Sequence, residues 1–464
     1  MTKYVAEEKP KVINDLKDIF ILALVYAITI AAFRLNAMET VVWTICALMI
    51  LLLKSNVPVS IILTLFFLVP SDYSSLMQIS TPIGGFPYYW VLILVFIIYY
   101  SIFNNIRNIR FSRNEVNIGV LFTIFTALQL VSLLIYNNDN ITINLLQFLL
   151  QSVGMLLLIK IQQLYEEDIC RLFYYIVFLV AIVDFAGFCE IFLGFDFYDI
   201  YHIGYYHDNY VWSLSEGLYW RSYSTFGNPL VYSGTLMLCL AIVEYFRHNN
   251  KKVVLQILLL SLIIAGSLLS GSRSAIVISL LYVIYYIARS KFSKKVFLII
   301  LVLCTVPALF RLFNFDSIIR NFQTLGQSNS AAHRAESYKL FWDVFANYIL
   351  LGSGLGNSYE VLKGYVGRAS NFMTNTFDNA FMDFSLAVGI FGIIVFILIF
   401  VNVHKILKPK KDKTAFYAFI FFCMISFVMN ATKYISLWGL LWTFIALNAY
   451  VDDRDNPEDV LDYN

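Results

Sequence analysis

Long apolar runs separated by short polar breaks make up almost the whole chain. A helix that crosses a bilayer needs about 20 mainly apolar residues, with a range of about 17–25. Fourteen stretches are candidates: 18–34, 39–53, 57–70, 87–104, 117–136, 142–159, 172–194, 227–246, 253–270, 274–289, 296–313, 379–402, 415–430 and 434–451. The pattern predicts an all-α polytopic membrane protein with about 14 transmembrane helices, built as a single integral-membrane domain. Residues 1–226 form its N-terminal set of spans and end in an aromatic loop, 195–226. Residues 227–464 form the C-terminal core, which includes a long loop, 314–378. The interval from Arg311 to Asn379 is the longest without a membrane-length apolar run.

Composition agrees with that pattern. The 464 residues are 59% hydrophobic and 14% charged, with a mean hydropathy of +0.71. Soluble domains carry about 25% charged residues. A net charge of +2 provides no field that would draw nucleic acid. Cys46, Cys189, Cys239, Cys304 and Cys423 fall in apolar runs, and Cys170 in what reads as a short charged loop. That spacing predicts neither a disulfide framework nor a Cys-x-x-Cys metal or redox site. The mixed-charge segment from Lys3 to Lys17 precedes the first apolar run, and no small-residue cleavage site follows that run. The chain therefore reads as lacking a cleavable signal peptide.

Lysine and arginine near helix ends set orientation. They gather at the N-terminus, at Lys54, at Arg107, Arg110 and Arg113, at Lys160, at Arg247, Lys251 and Lys252, around Arg289 to Lys295, and from Lys405 to Lys413. With every span real, all of these lie on one face, and both termini are cytoplasmic. The loops 71–86, 195–226, 270–273 and 314–378 then face outward from the plasma membrane. Nucleotide-sugars are absent on that face, so group transfer there requires an already activated, lipid-linked donor.

Several residues on that face can carry chemistry. Gly271-Ser-Arg-Ser-Ala275 is a tight connection that holds Arg273 at the boundary. An arginine at a helix centre costs about 2.5–3.5 kcal/mol, less when it snorkels to the interface. Arg273 reads either as a snorkelling residue or as a bidentate phosphate ligand. Arg221, before Phe226-Gly-Asn-Pro229, is a second boundary arginine and makes a two-arginine diphosphate clamp conceivable. The loop before it is rich in aromatics, among them Tyr210, Trp212 and Trp220, with Glu216 as a spare carboxylate. These rings read either as an interfacial belt or as a surface on which sugars stack. His202 and His207 lack partners at metal-ligand spacing, so no metal site is expected. Leu340, Phe341, Val344, Phe345, Tyr348 and Ile349 recur at helical spacing, with Arg334, Ser337 and Asp343 off that stripe. This predicts an amphipathic helix on the outer membrane surface, ended by Gly352, with Arg334 as a third anion ligand. Asp378 reads as a helix N-cap or as a carboxylate that accepts a proton from a hydroxyl.

The order of these motifs resembles the O-antigen ligase/polymerase family, the Wzy and WaaL type. The resemblance runs through Arg221…Phe226-Gly-Asn-Pro229, Gly271-Ser-Arg-Ser-Ala275, Arg334…Trp342…Gly352-Ser-Gly-Leu-Gly356, and Asp378-Asn379…Gly389-Ile-Phe-Gly392. It covers the second half of the chain. It implies a metal-independent, cofactor-free membrane glycosyltransferase of the GT-C kind that takes undecaprenyl-diphosphate-linked glycan as donor, and in a polymerase as acceptor too. Arg221 and Arg273 match the arginines thought to hold the diphosphate. The ligases typically carry histidine where this chain has Asp378, and aspartate there is similar to capsule and exopolysaccharide polymerases. The expected function is a surface-polysaccharide polymerase, with membrane lipids, a chain-length regulator and a flippase as possible partners. A ligase is the alternative within the family, and a lipid-linked oligosaccharide flippase the alternative of another class. A flippase would show charges inside its spans and a repeat between its halves. Only Asp184, Glu190 and Glu244 read as lying at or near membrane depth.

Overall fold

A computed structural model describes residues 57–68, 78–81, 84–103, 111–136, 140–193, 222–249, 253–290, 329–365 and 377–450, with the single positions 23, 24, 27 and 109. The candidate spans 39–53 and 296–313, and nearly all of 18–34, lie outside the described residues. Each of the other candidate spans is a helix. In chain order the α-helices of the described residues, which include two in the long loop, begin with α1 (Val57–Leu68), α2 (Tyr88–Phe103), α3 (Arg113–Tyr136), α4 (Asn140–Leu149), α5 (Met155–Gln162), α6 (Glu166–Leu193), α7 (Pro229–His248), α8 (Val253–Leu269) and α9 (Arg273–Arg289). They continue with α10 (Asn329–Phe345), α11 (Ser358–Lys363), α12 (Ala380–Leu407), α13 (Thr414–Ser426) and α14 (Ile435–Ala449). Among the described residues, the regular element that is not helical is an antiparallel hairpin, β1 (Gln78–Thr81) with β2 (Gly84–Pro87), where the sequence predicts only a loop.

The single span expected over 142–159 is α4 joined to α5 through a π-helical turn, Leu150–Gly154. Cys170 lies inside α6 and is buried, because the helix starts at Glu166, earlier than the apolar run suggests. Acidic residues at Glu166, Glu167 and Asp168 suit the positive end of a helix and extend it into the charged stretch.

Among the described residues, five helices are long and apolar enough to cross a membrane: Arg113–Tyr136, Ile141–Gln162, Glu166–Leu193, Pro229–His248 and Ala380–Leu407. Their environments differ. α7 and α14 are buried on nearly every side, as expected of helices that are apolar all round. α3 and α12 instead turn Val120, Leu134, Ile394 and Ile397 outward. Such continuous apolar faces suit lipid, not water. At the centre, Phe148, Phe396 and Trp438 stack against one another, with centroids 5.3–6.1 Å apart.

α12 is broken at Gly389, which has φ 64° and ψ −175°. The segment after α10 fills the break with its own backbone. Ser353 N and Gly354 N donate to Leu386 O and Ala387 O, at 2.8 Å each, and Ile390 N donates to Ile349 O at 2.8 Å. A Cβ on Gly389 would stand 2.4 Å from Gly352 N. The glycines of the two motifs are thus one docking joint between the long loop and the last long span.

Helix direction sorts the polar groups into two ends. At the lower end, Lys160 pairs with Glu115 and lies over the rings of Phe111 and Tyr450. Asn448 Nδ2 donates to Asp412 at 2.8 Å there. The upper end holds the start of α7, the α8–α9 turn, the start of α12 and the end of α13.

Candidate active site at the upper end of the bundle

The segment leading into α7 is fixed by a buried acid. Glu190, in the last turn of α6, accepts from Ser222 Oγ at 2.7 Å and from Ser224 N at 2.9 Å. Ser222 N donates to Leu269 O at 3.0 Å, tying this segment to the end of α8. Asn228 caps α7 by accepting from Leu230 N at 2.9 Å, with Pro229 in the first helical position. Glu190 is therefore a structural anchor. Arg221, Tyr210, Trp212, Glu216 and Trp220 lie outside the described residues.

Arg273 opens α9 directly after the turn. That turn is braced by Ser270 Oγ to Ser267 O at 2.8 Å and by Ser272 and Ser274, whose hydroxyls are 3.2 Å apart. Ser270 and Ser272 are buried, and Arg273 is half-buried. A cation in the first turn of a helix opposes the helix dipole, which favours anions there. The guanidinium and the helix end together form a positive spot suited to an anion. A hollow of about 10 Å³, room for one water, separates Ser272 and Ser274 from Val428 and Met429 beyond α13.

Arg334 reaches the same place from the long loop. Its Nη2 makes a long contact, 3.5 Å, with Val428 O. Its Nε stands 4.0 Å from Asp378 Oδ2, each side chain 41% exposed. A pair this open and this long contributes little to stability. Asp378 does not cap α12. Asn379 is the N-cap, its Oδ1 accepting from Phe381 N and Met382 N at 2.9 and 3.2 Å. The Asn379 amide donates to Tyr338 Oη at 3.1 Å and so joins α10 to the start of α12. With the cap supplied by its neighbour, the Asp378 carboxylate is left to Arg334.

α10 does not lie on the surface as a free amphipathic helix. Phe341, Val344 and Phe345 pack with Phe377, Met382, Leu386 and Leu362 into a small second core. Ser337, expected outside, is buried, and Ile349, expected inside, is exposed. The rotation arises because α12 and α11, not lipid, supply the apolar partner surface.

Sequence reasoning missed one group. Asp383 lies in the first turn of α12 and is buried. It accepts from Ser358 Oγ at 2.7 Å, and Lys433 Nζ stands 3.6 Å away. The set of membrane-depth acids therefore also includes Asp383. The available signal was one carboxylate inside an apolar run and one lysine in the break between the last two spans. All three acids predicted at depth are engaged. Asp184 accepts from Tyr232 Oη at 2.7 Å, Glu190 holds the entry to α7, and Glu244 accepts from Tyr282 Oη at 2.7 Å and pairs with Arg247.

Three sequence-distant segments, the turn that leads into Arg273, α10 through Arg334 and the start of α12 through Asp378, thus meet around the end of α13, with the Lys433–Asp383 pair on the first turn of α12. No curated protein matches the chain. Residues 234–397 match the family model described as O-antigen ligase. Arg273, Arg334, Asp378 and both halves of the glycine joint fall inside that span, whereas Arg221 falls before it. Residues 234–397 are thus similar to an O-antigen ligase family domain, which supports the resemblance to the O-antigen ligase/polymerase family.

Proposed function

We propose that the protein is a membrane glycosyltransferase that polymerises a surface polysaccharide of the O-antigen, capsule or exopolysaccharide kind on the outer face of the plasma membrane. In this reading the chain crosses the bilayer about 14 times in a GT-C-like arrangement, with both termini cytoplasmic. The donor is a growing glycan on undecaprenyl diphosphate, and the acceptor is a hydroxyl of a fresh lipid-linked repeat unit. The observation that carries the reading is the meeting of the Arg273 turn and the Arg334–Asp378 pair at the end of α13.

In the step itself, the acceptor oxygen forms a bond to the anomeric carbon and the bond from that carbon to the diphosphate oxygen breaks. The electron pair leaves with the diphosphate, and the configuration at carbon inverts. Arg273 and Arg221, the residue next to Ser222, meet the charge that develops on the leaving group, and Arg334 assists. Groups placed in advance where charge develops usually supply the largest catalytic term. The Asp378 carboxylate orients the acceptor hydroxyl and takes its proton, with Glu216 as the second candidate. Guanidinium groups in these places leave the diphosphate with no need of a metal. Tyr210, Trp212, Glu216 and Trp220 grip sugars at the mouth.

Members of the matched family are membrane glycosyltransferase-like enzymes, ligases or polymerases. The description of the matched model favours a second reading, a ligase that moves the glycan to another acceptor. Aspartate at 378, in place of the ligases' histidine, favours the polymerase.

Sidedness tests the reading. In sealed vesicles of known orientation, lipid-linked repeat units offered in the leaflet at the Arg273 end are expected to be joined. Units confined to the leaflet at the Lys413 end are expected to stay single. Equal joining from both leaflets would overturn the outer-face assignment.

A further inference from the structure

The lower end of the bundle holds a second polar recess, a helix length away from Arg273. It has a volume of about 340 Å³ and is lined by Glu244, Arg247 and His248 of α7, Arg289 of α9, and Asp412 and Lys413 at the start of α13. Ligand pockets generally run from about 300 to 1,000 Å³. Its two carboxylates are occupied from within. Glu244 is held by Tyr282 and Arg247. Asp412 accepts from Thr414 N at 2.9 Å, Thr414 Oγ1 at 2.6 Å and Asn448 Nδ2 at 2.8 Å. Burial pushes the Asp412 carboxyl above its usual range, while its bonds to Thr414 and Asn448 pull the other way.

The cations, by contrast, retain unused donors. The Arg247 and Arg289 guanidinium groups each lie 5.4 Å from the centre of the Tyr285 ring. Arg247 Nη2 also donates to Tyr285 Oη at 3.3 Å, and Tyr285 Oη meets Tyr417 Oη at 3.2 Å. One ring thus orients two planar forks, the geometry that suits a phosphate. Lys413 Nζ donates to Lys408 O and Lys410 O and keeps a third hydrogen.

We propose that this recess binds the phosphate of an anionic phospholipid headgroup. Arg247, Arg289 and Lys413 would take the phosphate oxygens. The outer sides of the two helices that lead to it are apolar and exposed, at Leu281 and Ile284 on α9 and at Phe416 and Ile420 on α13. They supply a surface for acyl chains next to the cations, which a free phosphate would not use. Basic pockets between membrane helices are a recurrent way of holding lipid headgroups. The proposal is independent of the reaction at the upper end.

Native mass spectrometry of the full-length protein, titrated with phosphatidylglycerol or with phosphatidylcholine, tests it. Phosphatidylglycerol should be retained in preference. Arg289→Gln and Lys413→Gln, both exposed side chains, should each weaken that retention about fivefold and leave the melting temperature unchanged. A second arm uses inorganic phosphate. If phosphate stabilises the wild type but neither variant, and the two lipids bind alike, the occupant is a free phosphate and the lipid assignment falls. If the variants retain phosphatidylglycerol as well as the wild type does, the site itself is refuted.

Discussion

Gly389→Ala is expected to cost about 3 kcal/mol of stability and to remove most of the folded protein recovered in detergent. A residue with a side chain at φ 64° and ψ −175° is strained by about 1–3 kcal/mol. The added methyl would also meet Gly352 N at 2.4 Å and Leu350 O at 2.5 Å, and both are backbone atoms that cannot rotate away. Relief requires the 349–354 segment to leave α12, which breaks the hydrogen bonds of Ser353, Gly354, Ile390 and Phe391 across the joint. Each such bond contributes about 1 kcal/mol net. Ile390→Ala, one residue on and facing outward, should stay within about 0.5 kcal/mol of the wild type because its side chain leaves the joint intact. Thermal unfolding followed by size-exclusion recovery reads both. A Gly389→Ala protein that melts with the wild type would show that the joint is not what positions α12.

Arg273→Ala is expected to act on turnover and not on folding. The side chain is half-buried, and the serines that brace the turn stay in place without it. Removing a cation from the first turn even relieves an unfavourable interaction with the helix dipole. The melting temperature should therefore hold or rise slightly. Turnover should fall by about 10²–10³-fold, the usual loss when a group that stabilises developing charge is removed. Arg273→Lys should recover part of it, since an ammonium keeps the charge but loses the bidentate fork. Steady-state kinetics on lipid-linked substrate separates these cases. Unchanged turnover in Arg273→Ala would return the residue to the role of a snorkelling arginine.

The helices were legible in the sequence because apolar runs of membrane length admit few alternatives. Polar neighbours moved their boundaries, as the acids that start α6 at Glu166 show. The π-helical turn at Leu150–Gly154 left no signal, because it depends on how α4 and α5 pack and not on a residue type. For the site, the motif order pointed to Arg273, Arg334 and Asp378, and the fold brings the last two to 4.0 Å. Sequence could not show that Asn379 takes the capping role, since Asp and Asn serve equally well as caps. Nor could it pair Lys433 with Asp383, fifty residues apart in two different helical segments. The glycines at 352 and 389 were visible as motif letters. Their shared function became clear only when the backbone of one segment was found inside the break of the other.

The most direct measurement of the central claim is the length distribution of glycan made by the purified protein from synthetic undecaprenyl-diphosphate repeat units alone. A polymerase built as described yields a ladder at multiples of the repeat unit, with one undecaprenyl diphosphate released per bond. Units that stay single with these substrates, and are transferred only once a different acceptor is supplied, would contradict the polymerase and leave the ligase.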